Sequence, residues 1–341
     1  MTDTVSFDGA LAVAPESNKH VLLGNGFSRA CRNEIFAYGR LFERADFSRL
    51  SPFAQQAFGV LATTDFEIVM EGLKRAAKLL RLYHSSDTGI AAQFEADALG
   101  LREVLVSAIA DSHPARPGDI ELTQYAACKR FLANFQNIYT VNYDLLLYWA
   151  VMQDQAEPAI ECDDGFRLPE DGPQDWVSWD SSAHDQNIHY LHGGLHIYEA
   201  GPEIQKYTWC NTGLPLIDQI RSALQSEKYP LFVAEGTSDQ KMARINRSSF
   251  LGRTYRSLEN IGGVLFVYGL SFGESDGHIL RAIVRSRIRH LVVSLFGSPS
   301  SDANRLIATK LEELQARRAS QGARRTLNVA YFDAASAAVW G

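Results

Sequence analysis

Cysteine is scarce in this chain and never paired at close range: Cys31, Cys128, Cys162 and Cys210 stand far apart, with no C-x-x-C pair. A structural zinc ribbon needs closely spaced thiolate pairs, so that class is excluded. Isolated cysteines in a chain of 341 residues also fit a reducing compartment. Long apolar runs are missing too, and none reaches the roughly 20 residues a membrane helix needs. The opening residues Met1-Thr2-Asp3-Thr4-Val5 lack the basic region and apolar stretch of a secretory signal. The expectation is a soluble, cytoplasmic protein with no membrane partner. Excess positive charge is absent: the formal net charge is −7, which gives no electrostatic drive toward nucleic acid. Arg244, Arg247, Arg253 and Arg256 lie close together and read as the solvated face of a helix. Low-complexity tracts and internal repeats are also lacking. What is there is an ordinary globular composition, 46% hydrophobic and 21% charged, long enough to bury a large core.

Periodicity sets the organisation. His20 to Leu23 reads as a buried strand entering a glycine turn. Helical spacing then dominates through Pro52 to Leu61, Asp65 to Leu82, Ala91 to Ile109 and Thr123 to Phe135. The next strand is Asn137 to Val141, so the interval is too long for a simple crossover. Glu161 to Ser182, rich in Asp, Gly, Pro and Trp, reads as a long loop or cover. Further strands are predicted at Ile188 to Leu191, Leu231 to Ala234, Val264 to Tyr268, His290 to Leu295 and Leu327 to Phe332. Helices fall between most of them, at Leu216 to Gln225, Asp239 to Asn260, Asp276 to Arg287 and Ala303 to Ala319. Strands alternating with helices predict an α/β fold, a Rossmann-like doubly wound parallel sheet. The reading is one domain over residues 1–341, with a helical insertion at about 40–130.

Four polar segments end apolar runs, and strand carboxyl ends are where open α/β sheets bind ligands. The first is Gly24-Asn25-Gly26-Phe27-Ser28, where glycines let a backbone approach a pyrophosphate. The usual dinucleotide fingerprint fails here. Its third glycine falls at Arg29, and no strand delivers Glu43 or Asp46 as the ribose-binding acid. That argues against an ordinary nicotinamide dehydrogenase. The second segment holds Asn142 and Asp144, which suit hydrogen bonds to a ribose or a carboxamide, or a helix cap. The third is His192-Gly193-Gly194: an imidazole there is a natural general base, or an inert loop histidine. His189, His192 and His196 imitate a helical metal site, but the double glycine breaks such a helix, and no metal is expected. In the fourth, Gly269-Leu270-Ser271, the serine can donate to phosphate, and Asp276 reads as the N-cap of the following helix.

In this order the four segments resemble the sirtuin superfamily, particularly the divergent sirtuin-like proteins of bacteria that lack the zinc module. Gly24-Asn25-Gly26-Phe27-Ser28 resembles the Gly-Ala-Gly-x-Ser loop, with Asn25 in place of Ala. Thr140-Val141-Asn142-Tyr143-Asp144 resembles Thr-Gln-Asn-Ile-Asp, Leu191-His192-Gly193 resembles the catalytic His-Gly, and Gly269-Leu270-Ser271 resembles the later Gly-Thr-Ser loop.

The resemblance implies NAD+ as substrate. Gly24, Asn25, Gly26, Phe27 and Ser28 would lie against the phosphates and nearby ribose, with Gly269 and Ser271 toward the adenosine half. Asn142 would hold the ribose or an attacking water, Asp144 the nicotinamide carboxamide, and His192 would serve as general base. Zinc-less relatives are known as NAD hydrolases that deplete the cofactor during phage infection. The resemblance therefore implies an NAD+ glycohydrolase that releases nicotinamide and ADP-ribose in antiviral defence. Two other outcomes stay open: protein deacylation or ADP-ribosyl transfer, and sensing of NAD+ or ADP-ribose without turnover. An enzyme that destroys NAD+ has to be held off, which implies control by a homo-oligomer or by a separate sensor or ATPase partner. The helical insertion is the expected place for such contacts.

Overall fold

The computed structural model describes residues 4–14, 18–36, 42–83, 88–169, 175–208, 213–226, 228, 230–233, 237–322 and 326–341. Its strands are β1 (Thr4–Val5), β2 (Lys19–Leu23), β3 (Asn137–Thr140), β4 (Phe166–Arg167), β5 (Trp176–Trp179), β6 (Ile188–Tyr190), β7 (Ile197–Ala200), β8 (Glu203–Tyr207), β9 (Gly262–Tyr268), β10 (Arg287–Leu295) and β11 (Asn328–Asp333). Seven of them form one parallel sheet in the order β1-β11-β10-β9-β2-β3-β6. Counted along the chain from β2, the six strands other than β1 run 3-2-1-4-5-6, the order of the doubly wound dinucleotide fold. The chain reverses direction across the sheet between β2 and β9. That switch point is where the first and fourth polar segments meet.

Burial on both faces explains why these strands read as unbroken apolar runs. Val21, Leu22 and Leu23 in β2 and Val264, Leu265, Phe266 and Val267 in β9 are fully buried. The flanking helices bury one stripe each. In Ser249–Asn260 that stripe is Phe250, Leu251, Thr254, Tyr255 and Leu258. The single helix expected over Asp239 to Asn260 is two, Ser238–Arg247 and Ser249–Asn260. Ser248 leaves helical geometry at φ −97° and ψ 126°, and its hydroxyl caps the second helix by accepting from Leu251 N.

Between β2 and β3 lie the helices Pro52–Val60, Phe66–Tyr83, Thr88–Ser112 and Leu122–Leu132. Phe42, Phe47, Phe58 and Phe66 pack together there, with ring centroids 4.7–6.1 Å apart. The point at which the helical insertion was expected to begin falls at residues 37–41, outside the described residues.

Three expectations need correction. Glu161 to Ser182 is not a plain loop: β4 and β5 lie in it and join β7 and β8 in an antiparallel sheet ordered β4-β5-β8-β7. Strands of two to four residues are too short to show alternation. The strand expected over Leu231 to Ala234 reduces to one bridge between Phe232 and Gly193, and Ala234 lies outside the described residues. Finally, Arg253 is no solvated charge, since its guanidinium donates to the carbonyls of Ser181 and Ala183 and ties its helix to the turn after β5. Among the described residues no helix is long and apolar enough to cross a membrane.

Candidate active site

The glycines at the switch point serve each other first. Gly24 N–H donates to Tyr268 O at 2.9 Å and Gly26 N–H to Gly269 O at 2.8 Å, so the loops after β2 and β9 lie backbone to backbone. A Cβ on Gly26 would stand 2.4 Å from Gly269 Cα, and one on Gly24 2.6 Å from Gly269 O. Gly269 itself has φ +69°, which a side chain rarely adopts. Replacing Gly26 by Ala is expected to cost about 1–3 kcal/mol of stability, because backbone rather than a flexible side chain has to yield. The control is Gly59→Ala, where nothing lies within 4 Å on an ordinary helix; there the change is neutral or slightly stabilising. Urea midpoints of the two variants check this. Equal midpoints would contradict it.

Beside this contact, the end of β3 supplies a buried polar network. Asn142 Nδ2 donates to Gly24 O and to Ser28 Oγ, each at 2.9 Å. Ser28 Oγ in turn donates to Asp144 Oδ2 at 2.5 Å, and Leu146 N–H donates to Asp144 Oδ1 at 2.9 Å. Burial pushes the Asp144 carboxyl above its usual range, and these two donors pull it partly back. Both amide hydrogens of Asn142 are engaged by the protein, so what it offers a ligand is its amide oxygen.

His192 sits just past β6. Its turn is shaped by Gly193 at φ +74°, where a Cβ would stand 2.0 Å from Leu231 O. Its ring meets a second imidazole, with Nε2 of His192 2.8 Å from Nε2 of His278. His278 lies in the first turn of the helix Gly277–Arg285 and is fully buried. Burial, reinforced by His278 and Lys241, holds His192 well below the usual histidine value, opposed by a backbone hydrogen bond with Val141. Burial, with Lys241 and Arg281 nearby, pushes His278 down to about 3, opposed by a backbone hydrogen bond with Ser275. Both rings are neutral near pH 7.

Asp276 was expected to cap this helix and does not. It occupies the cap position, but its side chain makes no capping bond. Its carboxylate lies 3.5 Å from the buried Lys241 ammonium instead. Donor atoms of His192, Asp276 and His278 all fall within 4.8 Å of one another. The Nε2 separation is nonetheless a hydrogen-bond length. Two imidazoles on a tetrahedral zinc would stand roughly 3.3 Å apart at bond lengths of about 2.0–2.1 Å. A lysine already faces Asp276, and the two imidazoles stand at the separation of a shared hydrogen.

These parts open on one cavity of about 910 Å³, near the upper end of the roughly 300–1,000 Å³ of ligand pockets. Asn25, Gly26, Asn142, Asp144, His192, Gly269 and Ser271 all line it. So do Arg29, Lys241, Asp276, Ser294 and Asn304. Gly24, Phe27 and Ser28 stand behind the wall. Ser28 is fully buried in the Asn142–Asp144 network, and Phe27 packs on Trp340, whose indole N–H donates to the Phe27 carbonyl. His189 stacks on Tyr139 and His196 packs against Tyr148 and Tyr190, so the three closely spaced histidines do not meet.

The model of a family described as "Domain of unknown function (DUF4917)" matches residues 21–340. The chain belongs to that family. No curated protein matches it. The DUF4917 span takes in the four polar segments together with Arg29, Lys241 and His278, so this cavity is built almost wholly within the family's own span.

Sequence reasoning missed two DUF4917 residues of this site: Lys241, which lines the cavity, and His278, which lies against His192 from within the buried protein. Lys241 had a visible signal, a lysine four positions before Ile245 on the buried stripe of its helix. His278 had none, because only the tertiary fold carries it to His192 across 86 positions.

Proposed function

We propose that this cavity cleaves the bond between nicotinamide and ribose in NAD+, giving nicotinamide and ADP-ribose. The observation that carries the reading is convergence. Asn25, Asn142, Asp144, His192 and Ser271, polar residues drawn from all four distant segments, line one cavity at the switch point of a doubly wound sheet. A cavity of about 910 Å³ has room for a dinucleotide. Arg29 and Lys241 bring positive charge suited to its pyrophosphate.

Departure of nicotinamide leaves positive charge on the ribose, so the chemistry resembles glycoside cleavage through an oxocarbenium-like state. The protein has to hold the ring, favour the leaving group and admit water. The Asn142 amide oxygen suits a ribose hydroxyl or the water, and Asp144 the carboxamide. His192, kept neutral by burial, is free to accept a proton. Its low proton affinity belongs to the unliganded cavity, and the negative pyrophosphate of a bound dinucleotide raises it toward the working pH. In a cell such an enzyme depletes NAD+, consistent with a defence role and with control by assembly or a partner.

The test is incubation of purified protein with NAD+, following nicotinamide and ADP-ribose by chromatography. Wild type is expected to yield both in equal amounts and His192→Ala neither. Retained NAD+ with wild type, or equal loss with the variant, would overturn the reading. Acyl-ADP-ribose or a labelled protein acceptor would redirect it to deacylation or transfer, and tight binding without product to sensing.

A further inference from the structure

We propose that His278 is the positioning residue for His192, accepting a hydrogen bond from His192 Nε2 and thereby assigning Nδ1 of His192 the task of taking a proton. This rests on the NAD+-cleaving reading of the cavity. The two Nε2 atoms are 2.8 Å apart, and both side chains are almost wholly excluded from water. Two neutral imidazoles joined in this way hold one hydrogen between them, so one ring donates and the other accepts. The His278 ring packs against those of His192 and Tyr255. The residue sits in the first turn of a helix, its ring lies nearly parallel to that of His192 at 5.0 Å, and its carbonyl accepts from Tyr255 Oη at 2.7 Å. A ring held this firmly fixes the rotation of its partner.

The arrangement fits the proposed reaction. The bond between the anomeric carbon and the pyridinium nitrogen breaks, and neutral nicotinamide leaves with its electron pair. A lone pair of the water oxygen forms the new bond to that carbon, and as an O–H bond of the water breaks its proton goes to His192 Nδ1. His192 then carries a positive charge while still donating from Nε2 to His278, a bond that strengthens when the donor is charged. Once Nδ1 carries the proton it can donate to the Val141 backbone, which favours the same charged form. The charged groups around the pair are Asp276, Lys241 and Arg281. Asp276 offsets the new charge. Lys241 and Arg281 oppose it, which favours release of the proton once product forms.

The test uses the full chain with nitrogen-15 in its histidines. In resting wild type the His192 ring is expected in the Nε2–H form, and in His278→Phe as a mixture of both neutral forms. With NAD+, His278→Phe is expected to lower kcat about tenfold or more while KM changes by less than about twofold, as when the orienting partner of a general base is lost. His278→Gln, whose amide oxygen can accept the same hydrogen bond, is expected to recover most of the rate and to guard against a folding defect in the Phe variant. A resting His192 bare at Nε2, kcat unchanged in His278→Phe, or stoichiometric zinc across the two rings would overturn the proposal. No turnover by wild type with the Nε2–H form present would instead sink the NAD+ reading and leave the positioning contact standing.

Discussion

Acidification from pH 7 to about 5 is expected to unfold this protein cooperatively, with several protons taken up in the transition. Six histidines carry the effect. Burial pushes His20 and His113 down to about 4 and His189 and His278 to about 3, and it holds His192 and His196 well below their ordinary value. All six are at most 5% exposed. In the fold these rings are neutral, whereas in the unfolded chain they protonate near pH 6.5. Their contribution is therefore fully present above about pH 6.5 and is lost as pH falls toward the folded values. Each group costs at most about 1.4 kcal/mol per pH unit in that window, so six together approach about 8 kcal/mol per unit. A domain's whole stability is about 5–15 kcal/mol. Asp144 acts in the opposite sense, since its carboxyl is raised by burial and favours the fold at low pH. It is one group against six. Urea midpoints between pH 7.5 and 5, read by tryptophan fluorescence, check the slope. His189→Phe keeps a ring on Tyr139 and removes one titrating group, so its slope should be shallower by about one proton. A midpoint flat between pH 7 and 5.5 would refute the account.

The parts of this molecule readable from sequence are those whose signal is local. β9 was legible because both its faces are buried, which makes Val264 to Val267 a continuous apolar run. The helix Leu216–Gln225 was found with its bounds unchanged, since its amphipathic stripe starts after Pro215. β1 was not legible: two residues at the sheet edge, it exists only by pairing with β11 more than 300 positions away. The antiparallel sheet failed for the related reason that its strands are shorter than any period they could display. The site divides in the same way. Asn142 and His192 stood out as polar residues closing apolar runs, whereas Ser28 looked like a ligand contact and turned out to hold Asp144 from inside the wall. Asp276 looked like a cap because an Asp before a helix usually is one. Its actual neighbour, Lys241, comes from a different helix. The glycine loops were read as an approach to phosphate, while their closest demand is the other loop.

Under the proposed function, Asn142→Ala is expected to lower the rate of NAD+ cleavage by about a hundredfold to a thousandfold, the usual loss when one preorganised polar group leaves a reaction centre. The amide has two functions that can be separated. Its hydrogens brace Gly24 O and Ser28 Oγ, and its oxygen is what remains for the substrate. Loss of the brace should cost about 1–2 kcal/mol of stability, since a buried carbonyl loses its donor. Ser28→Ala removes the hydroxyl between Asn142 and Asp144 and leaves the amide oxygen in place, so its rate loss should be much smaller. It should also raise the Asp144 carboxyl further, because a donor that favours the charged form is gone. Asn142→Asp is the sharpest case. It puts a second carboxylate beside Ser28 and Asp144 in a buried site, where like charges cannot both ionise cheaply. Stability should then fall as pH rises, the reverse of the histidine effect, because the fold favours the protonated acid. Steady-state kinetics and urea midpoints on the three variants decide the matter. If Ser28→Ala loses as much rate as Asn142→Ala, the network alone sets activity and the amide oxygen has no separate part in it.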